Sequence, residues 1–140
     1  MLKTISQALE NFCIHQIKAP LTPIDAALSK ETFITYIDIN TDSNKYRVYI
    51  SAQKNFIQKV SKLFLDENES DLETLTDIAL ETTNLIVGSA KVIAEEENKN
   101  PYTIETPHFV AIDTFTFDFD QATIAMIDGD EVMVAIKEVS

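Results

Sequence analysis

Asp77, Glu81, Asn84 and Gly88 follow one another at steps of four, three and four residues within the segment DIALETTNLIVGSAKVIAEE. At helical periodicity they fall within about 60° of one another, a single stripe along one side of a helix. A carboxylate beside an amide is a small kit for binding and positioning. The carboxylate accepts hydrogen bonds, and the amide both donates and accepts. An amide cannot act as a general base, so its contribution would be to orient a partner group or a water. Polar residues at this spacing are also what any amphipathic helix turns to solvent, and for Asp77 and Glu81 alone that is the simpler reading. Gly88 and Asn84 argue for more. A helix-interior glycine costs about 1 kcal/mol relative to alanine, and this chain has only two glycines. Placing one on the outward stripe suits a close approach of another molecule to the backbone. Asparagine is likewise a poorer helix former than the Gln, Glu or Lys of a passive surface.

The stripe needs a long helix and a core to hold that helix still. Ser70 as N-cap and Glu73 at the third helical position predict a capping box, with the helix running to about Glu97. Leu72, Leu75, Ala79, Ile86, Ala90 and Ile93 lie opposite the stripe. Leu80, Leu85 and Val87 widen the buried part, so only a narrow polar strip is expected outside. Upstream, Leu2, Ile5, Leu9, Phe12, Cys13 and Ile17 predict a helix over 2–17, which Pro20 and Pro23 end and turn into a connector. Residues 32–40 and 46–51 are β-rich on either side of TDSNK and predict an antiparallel hairpin. Phe56, Ile57, Val60, Leu63 and Phe64 predict a helix over 53–65, closed by the acidic DENES loop. Three strands are expected after NKNP, at 102–112, 115–120 and 122–127. In the second, Phe115, Phe117 and Phe119 alternate with Thr116, Asp118 and Asp120. Asp128-Gly129 then turns the chain into a last strand at 131–139. The expectation is one α+β domain, 1–140, with helices packed on one face of a mainly antiparallel sheet.

Composition narrows the function. A chain of 140 residues that is 45% hydrophobic can bury a core and does not read as disordered. A net charge of −12 disfavours nucleic acid and anionic membranes, and suits a partner with basic residues around its docking face. No apolar run approaches the roughly 20 residues of a membrane span, and the N-terminus lacks the apolar stretch of a signal peptide. A cytoplasmic location is therefore expected. The single cysteine, Cys13, allows no internal disulfide and lies on an apolar stripe, as a core residue would. His15, on the first helix's polar side, and His108 lack metal-ligand spacing. Asp118, Asp120, Asp128 and Asp130 lack the spacing and terminal Glu of a calcium loop. There is no glycine-rich phosphate loop, hence no nucleotide site. Pro107 reads as a structural residue at a strand start or edge.

The pattern Asp77-x3-Glu81-x2-Asn84, with Pro107 after 22 intervening residues, resembles the signature of the CheC/CheX/FliY family, phosphatases of bacterial chemotaxis. That signature is Asp or Ser, then Glu, Asn and a distant Pro, and Gly88 matches a glycine frequent four residues past the Asn. The order of elements agrees over nearly the whole chain. CheC- and FliY-like members resemble internal duplications with two motifs, whereas CheX-like members keep one and form homodimers through their sheets. Here the first helix offers Ser6-x3-Glu10-x2 but then Cys13 for the Asn, Ile17 for the Gly and Tyr36 for the Pro. One intact motif makes the chain CheX-like, and Ser6 and Glu10 either a decayed copy or a coincidence.

The resemblance implies hydrolysis of the aspartyl phosphate of a CheY-like response regulator, which brings its own Mg²⁺, so that no cofactor belongs to this chain. Asn84 would hold a water in line with the phosphorus, and positioning is the dominant contribution in phosphoryl transfer. Glu81 would contact the regulator's active-site lysine, Gly88 would admit its loops, and Asp77 would shape or cap the site. Two alternatives stand beside it. One is a non-catalytic binding module of the flagellar switch, or a scaffold for receiver domains. The other is an acidic α+β interaction protein unconnected with signalling.

Overall fold

Strands of alternating character and helices with one apolar arc build two layers here. The computed structural model describes residues 1–18, 21–24, 30–97 and 102–139. Helix α1 (Leu2–Phe12) runs into a π-helical turn, Cys13–Ile17. Then come β1 (Leu21–Ile24), β2 (Glu31–Asn40), β3 (Lys45–Ala52), α2 (Lys54–Leu65) and α3 (Leu72–Glu96). The chain closes with β4 (Thr103–Ile104), β5 (His108–Thr114), β6 (Gln121–Ile127) and β7 (Asp130–Glu138). The strands form one antiparallel sheet in the order β1-β6-β7-β3-β2, with β4 and β5 both pairing with β2 at the far edge. The expected α+β architecture is the one observed. Among the described residues no helix is long and apolar enough to cross a membrane.

Period-two alternation decides the two faces of the sheet. Phe33, Ile37 and Ile39 of β2, Val48 and Ile50 of β3, and Val132, Val134 and Ile136 of β7 pack beneath the helices, with Phe56, Leu75, Ile86 and Val87. Ile34, Tyr49, Met133 and Ala135 point the other way, into a smaller cluster with Phe115. A helix followed by three strands thus occurs twice, as α1-β1-β2-β3 and as α3-β5-β6-β7. Exchanging β1 with β5, β2 with β6 and β3 with β7 reproduces the sheet order, so the halves are related by a pseudo-twofold between β3 and β7.

Four expectations are corrected. Pro23 sits inside β1, paired with Ala125, instead of in a connector; β1 is an edge strand, where proline's missing N–H costs least. Pro20 lies outside the described residues. The 102–112 stretch is two strands, interrupted around Pro107. Residues 115–120 form no strand. They cross the helix-free face, where Phe117 stacks on Tyr49 at 5.3 Å and 12°, with Phe115 edge-on to both. The Asp120 N–H donates to the Ile136 carbonyl at 2.8 Å, and its carboxylate accepts from the Glu138 N–H at 2.7 Å, which ties the segment's end to β7. Finally, the N-cap of α3 is Asp71, whose carboxylate accepts from the Thr74 N–H at 2.8 Å. Ser70 instead joins α2 to α3, its N–H donating to Gln58 Oε1 at 2.8 Å and its hydroxyl lying 2.6 Å from that of Ser61.

On the helix-free face Asp38 receives a forked pair of hydrogen bonds from Arg47, at 2.9 and 3.1 Å. The Arg47 guanidinium also lies 4.0 Å from the centre of the Tyr36 ring. The Arg47 bonds hold the Asp38 carboxyl below its ordinary value; burial opposes them and Lys45 adds to their pull. A carboxyl with a lowered folded value stabilises the fold above its unfolded value, about 4, and loses that contribution as pH falls through the folded value. Wild type should therefore exceed Asp38→Asn in stability at neutral pH, and the gap should close in acid. Urea unfolding over a pH series checks this, and a gap independent of pH would contradict it.

Candidate functional site on helix α3

Helix α3 buries Leu75, Ile78, Ala79, Thr82, Thr83, Ile86, Val87, Ala90 and Ala94 against α1, α2 and the sheet. That arc covers about half its circumference and leaves a strip on the far side in solvent. Asp77, Glu81 and Asn84 are exposed on the strip and Gly88 is half-buried. Glu81 and Asn84 stand one turn apart, with their Cβ atoms roughly 5–6 Å from each other. The whole stripe spans about 16 Å along the axis. None of the three polar side chains has a hydrogen bond or ion pair with the described residues. A carboxylate and an amide are thus held side by side on a rigid element with their bonding capacity unspent.

The strip is less polar than its spacing predicts. Leu85 is 38% exposed and Val92 50%, and together they border the stripe on one side. Leu72, expected in the core, is 59% exposed as the first residue of the helix. Leu85, Ser89, Val92 and Ile93 line an open groove of about 480 Å³ whose other wall is Phe12, His15 and Phe64. A hollow of about 720 Å³ near Leu2, the β2–β3 turn and Tyr102 shares no residue with the stripe.

Pro107 is half-buried just ahead of β5, a strand that lies against α3, and is not on the stripe itself. The pseudo-equivalent helix α1 carries no matching site. Ser6 and Glu10 are half-buried, and Cys13, in the place of the amide, is fully buried. Burial, with the Glu10 charge adding to it, pushes the Cys13 thiol up to about 12, so it is an inert core thiol. His15 is exposed in the π-helical turn, and His108 stacks on Tyr36 at 5.0 Å. Asp128 and Asp130 pair with Lys59 at 3.0 and 2.9 Å. No group of His, Cys, Asp and Glu among the described residues is placed to hold a metal ion. Thr82 and Thr83, directly before Asn84, escape motif reasoning; their one signal is polarity on an arc that should be apolar.

Gly88 separates fold from function. A Cβ built there meets nothing within 4 Å, so the chain's own packing does not require glycine. Gly88→Ala should raise stability by about 0.5–1 kcal/mol, the helix-propensity difference, as read by urea unfolding. Destabilisation would mean that the fold, and not an approaching molecule, sets this residue.

Residues 33–128 match the family described as chemotaxis phosphatase CheX. No curated protein matches the chain in sequence. Among solved structures, the chemotaxis protein CheX from Vibrio vulnificus superposes with a TM-score of 0.80 at 17% identity, covering 99% of this chain and 98% of that one. CheX from Desulfovibrio desulfuricans gives 0.77 at 18%, covering 98% and 97%. A CheX–CheY–BeF₃–Mg²⁺ complex from Borrelia burgdorferi gives 0.62 at 18%, covering 98% and 95%.

Proposed function

The chain belongs to the chemotaxis phosphatase CheX family, and on that premise we propose that it hydrolyses the aspartyl phosphate of a CheY-like response regulator. The observation that carries this reading is the exposed Glu81–Asn84 pair, complete in type and spacing and unpartnered among the described residues. The B. burgdorferi relative was solved with CheY, BeF₃ and Mg²⁺, which supports a receiver domain as the substrate and a metal ion that arrives with it. In this reading the regulator supplies the phosphoryl group, its Mg²⁺ and a lysine. Asn84 accepts and donates hydrogen bonds to one water and holds it in line with the phosphorus. Glu81 pairs with the lysine and fixes the register of the two proteins. Asp77 shapes the upper end of the stripe, Gly88 admits the regulator's loops, and Pro107 sets the strand beside α3. Aligning one water suffices for a large effect, because a hundredfold acceleration corresponds to about 2.7 kcal/mol.

A non-catalytic docking module would need the face but not the amide, so Asn84 favours the enzyme. Asn84→Ala should abolish stimulated phosphate release from an acetyl-phosphate-charged receiver, with unfolding midpoint unchanged. Release by the variant at the wild-type rate would sink the assignment.

The same reading includes a cytoplasmic homodimer formed through the sheet. The helix-free face supports it: Phe117 and Phe119 are 40% and 46% exposed there, beside Phe115 and Tyr49. Replacing both by Asp should convert a dimer to a monomer in sedimentation experiments. A double variant that sediments as wild type does would remove this face from the interface.

A further inference from the structure

Of the buried residues on α3, Thr82 and Thr83 alone carry hydroxyls, and the two are used differently. The Thr82 hydroxyl donates to the Ile78 carbonyl at 2.7 Å and stays within the helix. Thr83 reaches across to the sheet. Its hydroxyl lies 2.5 Å from that of Thr35 on β2, and both residues are essentially inaccessible, at 0% and 1% exposure. The chain of hydroxyls has a carbonyl at each end, Ala79 on the helix at 2.9 Å and Ile50 on β3 at 3.3 Å. Each hydroxyl has one proton, so the chain runs either from Thr35 through Thr83 to Ala79 or from Thr83 through Thr35 to Ile50. Both arrangements satisfy both groups.

The apolar contacts around this link tolerate small slides and rotations of the helix, because dispersion and burial are not directional. A hydrogen bond is directional, and one at 2.5 Å is lost once its oxygens move apart by about 1 Å. Valine has the same shape and would avoid burying a hydroxyl, which is costly unless it is paired. Thr83 is also the residue immediately before Asn84 and lies in the same turn as Glu81. Resting on the phosphatase reading above, we propose that the Thr35–Thr83 link is a positioning device, which fixes the rotation of α3 on the sheet and so aims Asn84 at the attacking water. Neither threonine touches substrate. They act through the helix, and a displacement of about 1 Å at a water-positioning group is enough to cost a large factor in rate.

The test compares Thr83→Val, Thr35→Val, Thr83→Ser and Thr82→Val in steady-state phosphate release from an acetyl-phosphate-charged receiver. Thr83→Val and Thr35→Val should each lower kcat about tenfold, with KM within about twofold of wild type, as a loss of aim and not of docking requires. Thr83→Ser, which restores the hydroxyl, should recover wild-type kcat, and the double valine variant should be no worse than either single one. Wild-type kcat in both valine variants would overturn the proposal, as would an equal loss in Thr82→Val. Should Thr83→Val fail to fold, Thr35→Val decides alone, since valine suits a strand. If wild type itself gives no acceleration, the phosphatase reading fails separately. The positioning claim is then judged on the Asn84 side-chain amide resonance. A shift in Thr83→Val and Thr35→Val but not in Thr82→Val supports it, and an unmoved resonance overturns it.

Discussion

Helix α3 has to bury apolar side chains along most of its length while keeping one narrow strip in water, and the rest of the fold is arranged to permit both. Each fully buried Leu, Ile or Val contributes roughly 1.5–3 kcal/mol relative to exposure, so Leu75, Ile86 and Val87 together hold the helix firmly onto the sheet. The exposed Asp77, Glu81 and Asn84 contribute almost nothing of that kind. Stability and site therefore fall on opposite arcs of one element, and residues on the strip can serve a partner without cost to the core. Helices α1 and α2 pack against α3 and strands β2 and β5 lie beneath it, which leaves the strip open among the described residues.

The pseudo-twofold makes the asymmetry of the molecule informative. Two halves with one topology place α1 and α3 in equivalent positions on the sheet, yet only α3 carries an amide at the motif's position. On α1 the corresponding position is Cys13, turned into the core with its thiol protonated. Where α3 turns Asn84 to solvent, the first half buries Cys13. Among the described residues, burial agrees with the sequence: the motif is complete and exposed on α3, and the equivalent amide position in the first half is core.

Much of this was legible in the sequence because the relevant periods are strict. The 3.6-residue repeat separated the Asp77–Gly88 stripe from its apolar opposite, and alternation marked β2, β3 and β7. Elsewhere several solutions satisfy one local pattern. Phe115, Phe117 and Phe119 alternate as a strand would, but they cover a sheet face instead of extending its edge. Pro23 looks like a breaker and is tolerated in β1 because that strand is outermost. Ser70 and Asp71 are adjacent cap candidates, and the choice fell to Asp71 once Ser70 was engaged by α2. Leu85 looks like core by type but sits at the rim of the buried arc. The Thr35–Thr83 pair was invisible, because its partners are 48 residues apart and each alone is an ordinary polar residue.

The most direct measurement is a crystal structure of the chain with a CheY-like receiver carrying Mg²⁺ and beryllofluoride. The expected result places the receiver's active site over α3, with a lysine at Glu81 and a water held between Asn84 and the beryllium in line with the aspartyl oxygen. A receiver seated elsewhere, with Glu81 and Asn84 still in open solvent, would contradict it.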